Sequence, residues 1–335
     1  MGLCLVESSR KTVAQVRELA ITYSSEGGDA ISALDGVSID IRAGEVVGIL
    51  GESGCGKSTL ARALLRLLPP NGAWTRGTIL IDGRDLLHLS ATELRLIRGR
   101  VISLIPQDPA LALNPVLSVG SQVAEVLRAH LLLNAQQRRQ RGLELLWEVG
   151  FEHPDQIYSA YPHQLSGGQR QRITIAQAVA CQPLLLIADE PTSKLDVTLQ
   201  AEIIALLSQI RRQHGTAILA ISHDPALFAG FADRIAVMYA GRIVEVGSSA
   251  EIFGRPLHPY TQALVRIATS TAVTGSTARS RLPSIEGESF DPTCVSVGCR
   301  FARRCPERME VCSHRYPGEF LPEPSRPVNC FKYGE

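Results

Sequence analysis

Three stretches of this 335-residue chain carry residue types able to handle a phosphate ester. The first is Gly51-Glu52-Ser53-Gly54-Cys55-Gly56-Lys57-Ser58, with Thr59 next. Glycines at this spacing let backbone N–H groups close around phosphate oxygens, Lys57 reaches the β- and γ-phosphates of a nucleotide, and the Ser58 hydroxyl ligates Mg²⁺. The second is Asp189-Glu190, at the end of the apolar run Leu184 to Ala188. There Asp189 can hold the Mg²⁺ shell and Glu190 can polarise an attacking water as general base. The third, Leu165-Ser166-Gly167-Gly168-Gln169, offers a hydroxyl and two glycines at a helix start, a form that can cap a terminal phosphate. Each has a plain structural reading alone: a glycine-rich turn, a solvated strand end, a capped helix. Their order along one chain, with strand, loop, helix and downstream acids in place, points to a nucleotide site.

The elements that must position these groups read as alternating strands and helices. Strand-like text covers Val13 to Tyr23, Gly36 to Ile41, and Val46 to Leu50, which runs into the phosphate loop. A helix is predicted over Ser58 to Leu68, stopped by Pro69-Pro70. Thr78 to Ile81 and Val101 to Ile105 are further strands, and from Pro109 to about Ala180 the pattern turns helical. Strands return at Leu184 to Ala188 and Thr216 to Ser222 around a helix from Thr198 to His214, and Ile235 to Tyr239 with Arg242 to Val246 form a hairpin around Ala240-Gly241. The alternation implies an α/β fold with a mostly parallel sheet and an inserted helical subdomain at about 109–180. Composition shifts near Arg255. A Thr-, Ser- and Ala-rich link, Ala268 to Ser280, leads to a Pro- and Cys-rich tail, so the domains divide as 1–255 and 256–335.

Hydrophobic content of 45% and charged content of 20% are ordinary for a globular protein. A formal charge of +1 gives no case for nucleic acid as partner, and the runs Arg138 to Arg141 and Arg300 to Arg304 read as solvated faces. No apolar run approaches the ~20 residues that span a bilayer, and residues 1–10 do not read as a signal peptide. The chain is therefore expected in the cytoplasm, with any membrane role exerted through a partner. Of eight cysteines, Cys4, Cys55 and Cys181 are scattered, whereas Cys294, Cys299, Cys305, Cys312 and Cys330 crowd the tail. In a reducing compartment such a cluster suggests a metal site more than a disulfide framework. Cys299, Cys305, Cys312 and Cys330 supply four thiolates, enough for tetrahedral zinc or a [4Fe–4S] cluster, with Cys294 as a spare.

The LSGGQ string between a phosphate loop and Asp189-Glu190 resembles the ATP-binding cassette (ABC) ATPases. That resemblance implies an ABC-type P-loop fold and ATP with Mg²⁺ as cofactors. It makes Gln107, after the strand ending at Ile105, the Q-loop glutamine, a contact of Mg²⁺ or the water. His223 becomes the switch histidine on the γ-phosphate, and Tyr23 the aromatic that stacks on adenine. Ser193-Lys194-Leu195-Asp196 resembles the D-loop, with lysine where the family usually has alanine, and the resemblance makes Asp196 a nucleotide-binding residue. Ser166, Gly167, Gly168 and Gln169 then cap a nucleotide held by the other subunit of a head-to-tail homo- or heterodimer.

Narrower strings resemble the ATPases of bacterial oligopeptide and dipeptide importers, including the nickel branch: Tyr161-Pro162-His163-Gln164, Leu113-Asn114-Pro115 and Arg255-Pro256-Leu257-His258-Pro259-Tyr260-Thr261. The resemblance implies a subunit that couples ATP hydrolysis to peptide import at the cytoplasmic face of the membrane. Its partners would be a second ATPase, two transmembrane permease subunits and, indirectly, an extracytoplasmic binding protein. Leu111, Leu113 and Val116 would line the groove that receives the permeases. Members of this group carry an iron–sulfur cluster in the tail, which favours [4Fe–4S] over zinc, empty thiols or a disulfide. Other readings are a nickel or small-solute importer of the same branch and a soluble, non-transport ABC ATPase.

Overall fold

A computed structural model describes residues 10–24, 30–273, 285–287, 290 and 297–334. Cys4, Cys294 and the link beyond residue 273 lie outside them. The chain folds as two units, each gathered from separate stretches. The first draws on 1–15, 39–45 and 79–219, and the second on 16–38, 46–78 and 220–335.

In the first unit, strands Ile102–Ile105 and Leu185–Asp189 pair in parallel, in the register Ile102↔Leu185 to Ile105↔Ala188. Both are apolar over nearly their whole length, and residues 185–188 are fully buried, as parallel strands covered on both faces must be. The stretch between them is helical throughout: Pro109–Ala112, Val119–His130, Ala135–Glu148, Pro154–Ser159 and Gly167–Val179. Val119, Val123 and Leu127, four residues apart, give the second of these one buried stripe. Tyr158 fits where Gly120 and Gly142 leave room; a Cβ on Gly120 would sit 2.1 Å from its ring. The helix Val197–His214 follows, capped by Asp196 and ended by Gly215 at φ 66°.

In the second unit, Val46–Leu50 is buried at every residue and pairs in parallel with Arg234–Tyr239. The phosphate loop leaves its carboxyl end, and the helix that follows is Lys57–Leu64, shorter than predicted because the chain turns at Arg66 with φ 51°. Arg234–Tyr239 and Arg242–Ser248 form the predicted hairpin; Ala240 and Gly241 both have positive φ, the geometry of a two-residue turn that matches strand twist. Two strands from the tail, Phe320–Glu323 and Arg326–Val328, extend this sheet, so its order here is 320–323, 326–328, 242–248, 234–239, 46–50. Only the last pair is parallel. At this end the pairing turns antiparallel: 234–239 with 242–248, and 320–323 with 326–328, are hairpins of neighbouring strands, and 326–328 returns from far along the chain to pair with 242–248.

Candidate functional site

The phosphate loop owes its shape to three glycines. Gly54 and Gly56 have φ of 80° and 107°, and a Cβ on Gly51 would fall 2.2 Å from the Met238 carbonyl oxygen and 2.7 Å from Cys55 Sγ. Ser53 and Gly54 form the exposed tip, and Cys55 is buried beneath, its thiol pKa pushed up by desolvation. The helix Lys57–Leu64 starts without a side-chain cap or an acidic residue in its first turn. Its leading N–H groups, beside Ser58 and Thr59, are therefore directed at whatever anion the loop holds. Lys57 is 5% exposed, and its Nζ donates to the carbonyls of Gly51 and Glu52, both at 2.8 Å. The amine is thus stored inside the loop it serves. Tyr23, half-buried, donates from its hydroxyl to Thr59 Oγ1 at 3.3 Å, which ties this aromatic to the first turn of that helix. Gly51→Ala would press on the Met238 backbone carbonyl as well as the Cys55 sulfur, so the loop itself must shift; the expected result is loss of nucleotide binding by fluorescent-ATP titration with the fold retained.

In the first unit, register alone brings two predicted residues together. Ile105 lies opposite Ala188, so Gln107 and Glu190 each stand two residues beyond a paired position, at the carboxyl ends of neighbouring parallel strands. Gln107 Nε2 donates to Glu190 Oε2 at 2.8 Å. Glu190 has φ 48°, backbone strain of the kind that collects at working sites. Asp189 is half-buried beside it. The D-loop joins the same cluster. Ser193 Oγ donates to the Gln107 carbonyl at 3.3 Å, and Lys194 Nζ meets Asp108 Oδ2 at 2.8 Å. The lysine that departs from the family pattern thus has a contact alanine could not make. That ion pair, helped by the Ala110 N–H, holds the Asp108 carboxyl below its ordinary range.

Ser166 is the N-cap of Gly167–Val179. Its Oγ accepts from the Gln169 N–H at 3.2 Å while Gln169 Oε1 accepts from the Ser166 N–H at 2.9 Å, a capping box. Space beside Gly167 is open, whereas Gly168 packs on Leu199. Asp196 caps the next helix through the Leu199 N–H at 3.0 Å, a structural duty for a residue assigned to the nucleotide. His223 is exposed immediately after the strand Ala217–Ser222. Of the three predicted groove residues, Leu111 and Val116 are 87% and 75% exposed, but Leu113 is 2% exposed and lines no surface. Buried Gln122 explains this, since its amide clasps both the N–H and the carbonyl of Asn114 and folds that loop inward.

Cys299, Cys305, Cys312 and Cys330 line one pocket, with Phe301 and Phe331. None of the described cysteines is in a disulfide. As placed, no three His, Cys, Asp or Glu side chains among the described residues are grouped to hold a metal ion. Burial, reinforced by the neighbouring sulfurs, pushes the Cys299 thiol up to about 11. The basic run beside them is not the solvated face expected. Arg300 and Arg304 side chains are 9% and 5% exposed, Arg300 on Asp35 at 2.6 Å and Arg304 on Glu52 at 2.8 Å. Sequence reasoning passed over Glu52 because it occupies a variable slot of the loop; the one signal was a carboxylate where phosphates must come.

A family profile described as ABC transporter matches residues 34–193, and one described as the C-terminal region of oligopeptide/dipeptide transporters matches 244–312. The dipeptide transport ATP-binding protein DppD of Bacillus subtilis is 44% identical over 95% of this chain and 94% of its own. The oligopeptide transport ATP-binding protein OppD of Escherichia coli is 40% identical over 98% and 95%. The solved dimeric structure of MJ0796, a bacterial ABC transporter cassette, superposes with a TM-score of 0.63 at 31% identity, over 70% of this chain and 98% of that one.

Proposed function

The chain belongs to the ABC transporter family as an ATP-binding subunit of the oligopeptide/dipeptide import branch, and from that premise we propose how its residues divide the work. It hydrolyses ATP and couples that hydrolysis to transport on a mixed α/β cassette fold. Likeness along nearly the whole length to named dipeptide and oligopeptide ATPases carries the import assignment.

Residues 1–255 form the ATPase, with a helical subdomain at about 109–180, and 256–335 form the extension. In the ATPase, Lys57 leaves the Gly51 and Glu52 carbonyls for the β- and γ-phosphates, and the loop N–H groups of Gly54, Cys55 and Gly56 cradle them. Ser58, Gln107 and Asp189 serve Mg²⁺. Glu190 takes the proton of the attacking water, and the Gln107 amide at 2.8 Å holds the carboxylate in place for it. His223 supports the γ-phosphate, and Tyr23 stacks on the adenine. The capped start of Gly167–Val179, open beside Gly167, presents Ser166 and Gln169 to the nucleotide of a second ATPase in a head-to-tail dimer. Among the described residues no helix is long and apolar enough to cross a membrane, so the membrane path belongs to two permease subunits. Leu111 and Val116 offer them apolar contact at the cytoplasmic face. An extracytoplasmic binding protein delivers the peptide.

In the extension, Cys299, Cys305, Cys312 and Cys330 would hold a [4Fe–4S] cluster. The four thiols lining one pocket support this reading, since a cluster of that type takes four cysteine ligands. Such a group would cross-link a tail with little apolar core of its own. Purification of the tagged chain from a membrane extract should bring down two multi-span proteins, with iron and sulfide near four atoms each per chain under anaerobic handling. Recovery without membrane partners would sink the transport role, and zinc in place of iron the cluster.

A further inference from the structure

We propose that Arg304 and Tyr260 are positioning residues of the phosphate loop, holding Glu52 by side chain and backbone so that the loop can accept a nucleotide triphosphate. Glu52 is the second residue of the loop, and its carboxylate is the one negative side chain between Gly51 and Ser58. Left to itself it would stand against the incoming phosphates and repel them. Arg304 meets it with two parallel bonds, Nη1 to Oε2 at 2.8 Å and Nη2 to Oε1 at 3.0 Å. A two-pronged guanidinium bond of this kind fixes orientation as well as charge. Arg304 is itself held, its Nη2 donating to the Ile285 carbonyl at 3.1 Å and its Nη1 reaching the Tyr239 hydroxyl at 3.5 Å.

Tyr260 takes the backbone of the same residue. Its hydroxyl accepts the Glu52 N–H at 2.9 Å. That N–H is thereby directed away from the phosphates, and the Glu52 carbonyl is one of the two on which Lys57 Nζ rests. Tyr260 is fully buried, its ring tilted against Tyr239 at 4.6 Å and Phe301 at 5.4 Å between ring centres. Arg300, four residues before Arg304, secures the same segment to Asp35 and to the Ala240 carbonyl. Gly241, next in that turn, donates its N–H to the Cys55 carbonyl of the loop at 2.8 Å. The loop is therefore gripped at Glu52 and Cys55 by residues that the phosphate-binding motif does not contain.

The test uses the full chain and measures the Kd of a fluorescent ATP analogue with Mg²⁺, the KM and kcat for ATP, and thermal melting without nucleotide. Arg304→Ala should raise Kd and KM together by roughly 10- to 100-fold, the range of a lost charge-assisted hydrogen bond, with kcat at saturating ATP nearly kept. Arg304→Lys, which keeps the charge without the fork, should fall between. Adding Glu52→Gln to Arg304→Ala should recover much of the lost affinity, because it removes the charge left facing the phosphates. Tyr260→Phe keeps the ring and loses the acceptor, and should weaken ATP binding while melting within a few degrees of the parent. A Kd for Arg304→Ala within about twofold of the parent would overturn the proposal, as would a double variant whose loss equals the product of the two single losses.

Discussion

Glu190→Gln is expected to slow steady-state ATP hydrolysis by roughly 100- to 10,000-fold while ATP binding persists, because the amide cannot accept the proton of the attacking water. The substitution is close to silent structurally. A glutamine at 190 can still accept from Gln107 Nε2 through its amide oxygen, so the contact at 2.8 Å survives and the site keeps its shape. Phosphate release gives the rate. Size-exclusion chromatography with ATP and Mg²⁺ should show a stable dimer, since nucleotide that is bound and not consumed leaves the two cassettes closed. Unchanged turnover would remove Glu190 as the base. Gln107→Ala removes the 2.8 Å contact to Glu190 and should lower kcat less than loss of the base itself.

The largest stability effect is expected at Arg326→Leu. Arg326 and Glu245 are both fully buried and meet at 3.1 Å. Glu245 also accepts the N–H groups of Leu257 at 2.9 Å and His258 at 2.8 Å, so its carboxylate is the point on which the chain turns from the hairpin into the extension. Removing the guanidinium breaks a fully buried ion pair, a change that costs about 3–5 kcal/mol. Urea unfolding of the full chain should register it, and a loss below about 1 kcal/mol would show that the pair is not needed. His258 reports on the same interior. Desolvation pushes its imidazole down to about 3, and Nδ1 accepts the Tyr260 N–H at 3.1 Å, so the ring is neutral and buried as a hydrogen-bond acceptor.

What the sequence made legible follows from what is local in the chain. The phosphate loop, the capped LSGGQ helix and the acids after Leu185–Ala188 are runs of neighbouring residues whose conformational needs are written in their own types. The hairpin at Ala240-Gly241 announced itself for the same reason. The meeting of Gln107 with Glu190 needed one further step, the parallel register of two buried strands. The tail resisted. Phe320–Glu323 and Arg326–Val328 contain Pro322 and Pro327, which argue against strands, and both lie where a ladder can spare a donor, at or next to the sheet edge. The burial of Arg300 and Arg304 could not be read either, because a charge run is ordinarily solvated; only the carboxylates at Asp35 and Glu52, far away in the chain, make it affordable. Leu113 was misread on the same principle. Its inward turn is set by Gln122, nine residues on, and not by its own neighbours.

The bond between Glu52 and Arg304 spans 252 positions of the chain. A ribosome makes the phosphate loop 252 residues before the arginine that steadies it. Between His223 and Arg304 the nascent cassette carries every nucleotide-binding motif but lacks the guanidinium that turns Glu52 aside, and it should bind ATP weakly. A chain cut short by a premature stop would be poorly armed as an ATPase as well as poorly folded, and so less able to squander ATP away from its transporter.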